Sequence, residues 1–321
     1  MIEFPAWDCL PYDRASPALS VSAKRLAALH RLQSGKNSAQ LLVTTANALL
    51  QRVLTPFRIR QSVKEFKPGI EISRESLAEL LQRQGYSRAD TVVDAGEYAV
   101  RGSIVDIYPS GLEQGLRLDF FGDELESLRL FDPATQTSTG ILKSHLLLPA
   151  SEALLDEDSI KRFRSRYREM FGATATGDPL YQAVSDGRRL AGMEHWLPLF
   201  EEKLSTLFDH LGEDDQIIID AGAITAGDER LKDITDYHQA REKAAGQAAG
   251  SYRPLAEDAL YATRDEFADR LTNWPIHRTV IFAEPENEKS VDFGFSSARD
   301  FSPERARGDN VYEAAANHLL Q

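Results

Sequence analysis

Between residues 63 and 149 the pattern of apolar and polar positions changes from a helical repeat to an alternating one. Ser73 precedes a helical repeat of leucines that ends at Gly85. Ser is a favoured first cap of a helix, and Gly is favoured just after the last turn. Three stretches after Tyr86 then alternate: TVVDAGEYAVRGSIVDIYP, GLRLDFFGDELESLRLFD and SHLLLP. The pattern predicts a small α+β domain with an antiparallel sheet.

The clearest local signal is a hairpin turn at Gly122-Asp123. Such a pair between two alternating stretches favours a two-residue turn, because glycine adopts the positive φ that these turns require. Successive side chains of the strand before the turn point to opposite faces. The alternation gives two sets: Leu116, Leu118 and Phe120 on one face, and Arg117, Asp119 and Phe121 on the other. We predict that the first set packs in the core.

The segments on either side have an α/β pattern. In residues 1–62 a helical repeat is followed by a short apolar run and a second helix at 46–54. Residues 150–321 are mainly helical but contain two short β-branched runs, QIIID at 216–220 and RTVIF at 278–282. Runs of this kind are typical of buried parallel strands, and these two could complete the sheet of the first segment.

We therefore predict an α/β fold in which an incomplete parallel-sheet domain is split by an inserted small α+β antiparallel domain. Residues 1–62 are its first part, and residues 63–149 are the insertion. Residues 150–321 are its second part, together with a helical subdomain and a polar tail. The small-residue stretch AAGQAAGS at 244–251 predicts a loop.

Composition limits the possible partners and compartments. The chain of 321 residues is 42% apolar and 27% charged, which is typical of a globular protein. Its formal net charge of -13 repels a polyanion and argues against non-specific DNA binding. No apolar run approaches the ~20 residues that a membrane span requires, and no secretion signal precedes the first helix. The single cysteine, Cys9, fits a reducing compartment, so we expect a cytoplasmic protein without a membrane partner.

The densest basic stretch is KRFRSRYRE, from Lys161 to Glu169. Its apolar residues and neighbours recur at helical spacing, so the exposed face of an amphipathic helix explains the charges. A DNA contact is the alternative, and it predicts a salt-dependent affinity that is lost when these residues are changed.

No catalytic or metal-binding set is evident. SGKNS at 34–38 lacks the first glycine and the final Ser or Thr of a phosphate-binding loop, and Gly35 is better explained as a helix terminator. Asp220 follows an apolar strand as a magnesium-binding aspartate would, but Ala221 stands where a second carboxylate belongs, so a turn cap is the simpler interpretation. The seven histidines lack metal-ligand spacing. We predict neither a cofactor nor a metal.

The hairpin is the candidate protein-binding site. An exposed aromatic ring beside an arginine is the typical composition of a binding hot spot. Arg117 and Phe121 share a face by alternation, and Arg101 on the preceding strand could join them. Two alternatives remain open: Phe121 turns inward at the end of the hairpin, or Gly102 marks a bulge that shifts Arg101 out of register.

Two motifs, GEYAVRGSIVDIYPSG at 96–111 and LRLDFFGDELESLRLFD at 116–132, closely resemble the bacterial transcription-repair coupling factors in their N-terminal, UvrB-like module. Further matches occur in the right order along the chain: FPAWDCLPYD at 4–13, GMEHWLPLF at 192–200 and NWPIHRTVIF at 273–282. The resemblance covers essentially the whole chain.

The resemblance implies a fold like that of the excision-repair protein UvrB with a disabled motor, in which a P-loop-NTPase-like domain is split by a domain that binds UvrA. By motif position it implies UvrA contacts at Arg101, Arg117 and Phe121. Asp220-Ala221 stands where UvrB has an Asp-Glu pair, and the missing Glu implies that this chain does not hydrolyse ATP.

Modules of this family normally begin with another strand and helix, which we do not find before FPAWD. In full-length members an RNA-polymerase-binding domain and an ATP-dependent DNA translocase follow. We therefore expect RNA polymerase, DNA and ATP to bind domains that this chain lacks. UvrB's aromatic DNA-clamping hairpin also has no counterpart, since LPYDRASPALS leads directly into the first helix.

Two functions follow from these patterns. The first is a non-catalytic adaptor of transcription-coupled excision repair that recruits UvrA by mimicking UvrB. It predicts that Arg117→Ala or Phe121→Ala weakens UvrA binding by ~2 kcal/mol and leaves the fold intact. The alternative is a nucleotide-dependent helicase or translocase fragment that binds DNA, and an ATPase assay distinguishes the two.

Overall fold

The structure, a computed structural model, describes residues 1–34, 40–172, 177–212, 214–245, 252–272, 274–279 and 299–320. The chain divides into two compact units, residues 1–278 and 279–321. Three predicted features lie wholly or partly outside the described residues: SGKNS after Ser34, AAGQAAGS after Ala245, and RTVIF after Thr279.

The described helices alternate with short strands in the flanking segments. The helices are α1 (Leu19–Ser34), α2 (Ala46–Leu50), α3 (Pro56–Ser62), α4 (Arg74–Arg83), α5 (Glu157–Phe171), α6 (Pro179–Ser185), α7 (Leu197–Phe200), α8 (Ala223–Ala245), α9 (Glu257–Leu260), α10 (Arg264–Thr272), α11 (Ser302–Arg307) and α12 (Val311–Leu319). None of these helices is long and apolar enough to cross a membrane.

The largest sheet of the described strands is mainly antiparallel. The strands are β1 (Ile2–Phe4), β2 (Leu42–Thr44), β3 (Val53–Leu54), β4 (Lys64–Phe66), β5 (Ser87–Arg88), β6 (Glu97–Arg101), β7 (Ile104–Ile107), β8 (Gly115–Phe121), β9 (Glu124–Phe131), β10 (Ser138–Leu142), β11 (His145–Leu147), β12 (Leu204–Ser205), β13 (Ile217–Asp220) and β14 (Ile276–Thr279). Six of them form one sheet in the order β10-β9-β8-β7-β6-β5. The mixed α/β class is confirmed.

The six-stranded sheet and helix α4 contain the cap and the turn that the sequence predicted. The Ser73 hydroxyl accepts a hydrogen bond from the Ser76 N–H at the start of α4. Leu77 and Leu81 are buried against the sheet together with Leu116, Leu118 and Phe120. Gly122 has a φ of 63° in the two-residue turn between β8 and β9, as expected.

One core contains residues from both flanking segments, from Ile2 to Ile59 and from Ala153 to Tyr261, and a second core contains residues between Phe66 and Ala150. The two ends of the second region meet where β4 and β11 pair antiparallel.

A buried ion pair links the first segment to the chain just after the second core. Both the Arg25 and Glu152 side chains are fully buried, with 2.6 Å between Arg25 Nε and Glu152 Oε1. Trp7 donates to the same carboxylate at 2.8 Å, which satisfies more of its buried lone pairs.

We predicted one sheet shared by residues 1–62 and residues 150–321, and for the described strands this prediction is wrong. β1 and β2 form a two-stranded parallel sheet, whereas β13 and β14 pair with each other in a separate one. The segments meet in two other ways. Leu50 of α2 packs with Phe208 and Phe267, and Ile217 packs against the same cluster. A short antiparallel pair between residues 53–54 and residues 204–205 also joins them.

The predicted second helix is also shorter than expected. α2 ends at Leu50, and Val53 and Leu54 form β3, which pairs antiparallel with β12. Both residues are fully buried there, so tertiary burial overrides their helical pattern. In the second unit, Gly308 with a φ of 77° ends α11, and Asn310 caps α12.

Candidate protein-binding site

The register of the six-stranded sheet brings the predicted binding residues to one face. Residues directly opposite each other on neighbouring strands project from the same side of a sheet. One row across the strands contains Ile141, Arg129, Arg117, Asp106 and Ala99. The next row on that side contains Ser127, Asp119, Ile104 and Arg101. We call the following residues the outer face: Arg101, Asp106, Arg117, Asp119, Phe121, Arg129 and Ile141.

Phe121 lies at the tip of the β8–β9 hairpin and is 79% exposed. It pairs with Glu124 across the two-residue turn, while the preceding Phe120 is buried in the core. The alternation predicted for this strand is therefore confirmed up to its last residue. The alternative in which Phe121 turns inward is wrong.

Asp106 organises the centre of the outer face. Its carboxylate is fully buried and accepts hydrogen bonds from Arg117, at 2.7 Å from Nε and 3.0 Å from Nη2. Nη2 of Arg101 donates to the same carboxylate. One acidic group on β7 thus holds the two guanidinium groups of β6 and β8. The sequence analysis did not select Asp106, although its position opposite Arg117 in an alternating strand was the available signal.

The two arginines differ in how much of the guanidinium remains available. Only 14% of the Arg117 side chain is exposed, and its third nitrogen donates to the Gln136 carbonyl at 3.3 Å. The Arg101 side chain is 43% exposed, and its Nε and Nη1 have no hydrogen-bond partner among the described residues. Arg117 is therefore a support for the face, and Arg101 is its accessible cation.

Close packing beneath Arg117 depends on a glycine. The guanidinium lies 4.9 Å from the ring centre of Phe131, which is buried on this side of the sheet. Phe131 is opposite Gly115, where an added Cβ would lie 2.2 Å from the ring. The hydrogen bonds to Asp106 raise the pKa of Arg117 above its ordinary value, so its charge is held firmly.

Arg101 is in register with its neighbours. Gly102 has a φ of 61° and lies in the tight turn between β6 and β7, where Arg101 pairs with Ile104. The alternative of a bulge at Gly102 is wrong. The register shifts in this sheet lie elsewhere: one is between β8 and β9 next to Asp119 and Phe120, and one is between β10 and β9 next to Ser138 and Gly140.

A second carboxylate–arginine pair lies beside the first. Asp119 Oδ2 is 2.8 Å from Nη2 of Arg129, and it also accepts from the Ser127 hydroxyl at 3.0 Å. Arg129 on β9 and Ile141 on β10 were not selected from the sequence. Alternation within β9 and β10 was the signal that could have found them.

Asp220 and Ala221 show no nucleotide-site geometry. Asp220 is exposed at the end of β13, and its Oδ1 accepts a hydrogen bond from the Gly222 N–H at 2.8 Å. This is the turn-capping contact expected from a strand-end aspartate. Within the described residues, no group of His, Cys, Asp and Glu side chains could hold a metal ion.

The basic stretch forms the amphipathic helix α5, with Phe163 and Tyr167 fully buried. Its arginines are partly engaged inside the protein. Arg162 donates to the Phe200 carbonyl, and Arg166 donates to the Pro198 carbonyl at 2.7 Å. These contacts cap backbone carbonyls near the C-terminal end of α7.

Comparison with known proteins gives a consistent result. Residues 65–152 match the family model of the UvrB interaction domain. The chain is 36% identical over 85% of its length to a transcription-repair-coupling factor of Haemophilus influenzae, and 33% identical over 92% to that of Escherichia coli K12. The corresponding protein of Rickettsia prowazekii is 30% identical over 97% of the chain.

The match covers only part of each relative. It accounts for 23%, 25% and 27% of these three proteins, so the chain spans about a quarter of their length. The outer face lies wholly within the matched domain. The chain is therefore a relative of the transcription-repair-coupling factors, homologous to about a quarter of their length, and residues 65–152 are its UvrB interaction domain.

Proposed function

We propose that this chain is a non-catalytic adaptor module of transcription-coupled nucleotide excision repair that recruits UvrA by presenting a UvrB-like surface. The process is the one named for its relatives, and the surface is the outer face within the UvrB interaction domain. UvrA is the partner implied by the motifs around Arg101, Arg117 and Phe121.

One observation carries the proposal: the ring of Phe121 is 79% exposed at the tip of a two-residue hairpin. An aromatic side chain buries much area on binding and has only two rotatable bonds, so it loses little conformational entropy. Most of the other described phenylalanines are buried, whereas the ring of Phe121 is accessible to a partner beside the arginines of the outer face.

The arginines complete the site in two different ways. Arg101 retains free N–H donors for a partner's carboxylate or carbonyl, whereas Arg117 is occupied by Asp106 and fixes the position of that carboxylate. Guanidinium groups held in advance lose less freedom on binding than mobile ones do. The outer face therefore offers a preorganised cation beside an exposed ring.

The domain arrangement supports presentation of this surface. In this proposal residues 63–149 are an insertion in the chain. Its support is that residues from Ile2 to Ile59 and from Ala153 to Tyr261 contribute to one core, whereas residues between Phe66 and Ala150 form another. The hairpin tip is exposed, and the two ends of the proposed insertion meet where β4 pairs with β11. In the full-length family, RNA polymerase and DNA would be bound by other domains.

The adaptor is non-catalytic in this proposal. Asp220 is used in a turn and Ala221 supplies no carboxylate, so the residues at this strand end lack the pair that would position magnesium and water. ATP is accordingly assigned to the motor domains of the full-length family and not to this chain.

The test is a calorimetric titration of the chain with purified UvrA. Phe121→Ala should weaken binding about 30-fold, the equivalent of ~2 kcal/mol for a hot-spot residue. Phe57→Ala is the matched control, because Phe57 is a similarly exposed ring on α3, away from the sheet. No binding by the unaltered chain, or equal affinity of both variants, would refute the proposal.

A further inference from the structure

Ile141 is an exposed apolar side chain in an unusual setting. It is 82% exposed on β10, the edge strand of the described sheet, and it lies in the same row as Arg129 and Arg117. Isolated exposed isoleucines are common on protein surfaces. Ile141, however, lies on the same outer face as Arg101, Arg117 and Phe121, on a strand beyond those that carry these three residues.

Arg129 repeats the arrangement found at Arg101. Each arginine is anchored through Nη2 to an aspartate on the neighbouring strand, Arg101 to Asp106 and Arg129 to Asp119. Each is also about half exposed, at 43% and 42%. Nη1 of Arg129 has no hydrogen-bond partner among the described residues, so this guanidinium also retains a donor for a ligand.

The two half-exposed arginines are spaced for one partner. They lie on β6 and β9, three strand spacings apart, which corresponds to about 14 Å across the strands at ~4.8 Å per strand, and they occupy neighbouring rows of the outer face. Ile141 on β10 extends the surface to about 19 Å. A standard interface buries about 800 Å² on each partner, a patch somewhat wider than this.

We propose that the partner-binding surface extends across β9 and β10, so that Arg129 and Ile141 contact the same UvrA surface as Arg101 and Phe121. The inference rests on the proposed function and is continuous with its site. The partner surface has to present two acidic groups, one opposite Arg101 and one opposite Arg129, and apolar recesses for Phe121 and Ile141. Arg117 lies between them as a support rather than as a contact.

The test extends the same titration with UvrA to two further variants. Ile141→Ser removes the apolar contact, and Arg129→Gln removes the charge while keeping a polar side chain near Asp119. Each should weaken binding at least about fivefold, the usual threshold for an energetically important interface residue. The matched controls are Ile218→Ser on β13 and Arg188→Gln beyond α6, both of which change exposed side chains away from this sheet.

The outcomes separate the two proposals. Unchanged affinity for both Ile141→Ser and Arg129→Gln, with a large loss for Phe121→Ala, overturns the extension and leaves the proposed function standing. No UvrA binding by the unaltered chain overturns both. Because Ile141 packs against little of the protein, a melting temperature equal to that of the unaltered chain shows that any loss from Ile141→Ser arises at the interface.

Discussion

Arg117 donates two hydrogen bonds from β8 to the buried carboxylate of Asp106 on β7, at 2.7 and 3.0 Å. The two residues are directly opposite each other in the register, so the pair fastens neighbouring strands as well as fixing charge. Asp106 is fully buried, and without its arginines it would be an uncompensated charge in the sheet. Arg117 therefore stabilises the folded domain.

The first prediction concerns stability. Arg117→Ala should lower the free energy of unfolding by about 1–3 kcal/mol, because it removes two hydrogen bonds to a buried carboxylate and a contact with Phe131. Arg101→Ala should lower the free energy of unfolding by less than about 1 kcal/mol, since that side chain is about half exposed and donates through one nitrogen. Urea denaturation measures both values.

This revises the expectation, drawn from the sequence, that Arg117→Ala leaves the fold intact. The effect of Arg117→Ala on UvrA binding has to be compared with its effect on the free energy of unfolding. Equal unfolding free energies for the Arg101→Ala and Arg117→Ala variants would contradict the supporting role of Arg117. Asp90→Asn, at an exposed aspartate outside the network, is a suitable control for Asp106→Asn, which should behave like Arg117→Ala.

The second prediction concerns nucleotide hydrolysis. Ala221→Glu restores the Asp-Glu sequence at the end of β13, yet it should produce no ATP turnover, because Asp220 is directed to the Gly222 N–H. The unaltered chain should be equally inactive. A sensitive phosphate-release assay with damaged DNA checks both. Turnover that requires Asp220 would support the helicase or translocase alternative instead.

The third prediction concerns the basic helix α5. Arg166→Ala should lower the unfolding free energy by about 1–2 kcal/mol, since Arg166 hydrogen-bonds the carbonyls of Pro198 and Glu201. Arg164→Ala, on the exposed side of the same helix, should leave stability unchanged. Neither change should alter affinity for DNA at low or physiological salt. A salt-dependent affinity lost in the Arg164→Ala variant would establish the DNA-contact alternative.

The fourth prediction concerns pH. Burial beside Cys9 and Trp7 lowers the pKa of His195 to about 4 from its ordinary 6.5. The unfolded chain therefore takes up a proton between pH 6.5 and 4 that the folded chain excludes. Above pH 6.5 His195 causes no pH dependence. As pH falls through this window, its effect lowers the unfolding free energy by up to about 1.4 kcal/mol per unit.

His195→Gln should remove this part of the slope, whereas His277→Gln, at an exposed position, should not. Urea denaturation series between pH 4 and 7 compare the three proteins. Because the carboxylates titrate in all of them, the difference between slopes isolates the histidine. Parallel curves for the unaltered chain and the His195→Gln variant would show that the imidazole does not remain neutral in the fold.

Several features were predictable because they depend on neighbours in the chain. The cap at Ser73, the turn at Gly122 and the inward position of Phe120 each follow from a local pattern, and each is confirmed. The amphipathic character of α5 is confirmed in the same way. Met170 is an apolar residue near the end of this helix that is half exposed.

Other features depended on residues far apart in sequence. β13 pairs with β14 and not with β1 or β2, and the segments meet instead through apolar packing around Leu50 and through the β3–β12 pair. Val53 and Leu54 do not continue the helix but pair with β12, about 150 residues later in the chain. The Ser205 hydroxyl also donates a hydrogen bond to the Leu54 carbonyl. Strand pairing over such separations has no local signal.

The sequence by itself determined which side chains share a face of β8, because successive side chains of a strand point to opposite faces and β8 contains no extra residue between Gly115 and Phe121. Only the tertiary structure decided which of those side chains a partner can reach. Asp106 occupies Arg117 and leaves Arg101 half exposed, and the register adds Arg129 and Ile141 to the same surface. The period of a strand determines the face on which a side chain lies. Whether a partner can reach that side chain depends on the neighbouring residues that strand pairing places beside it.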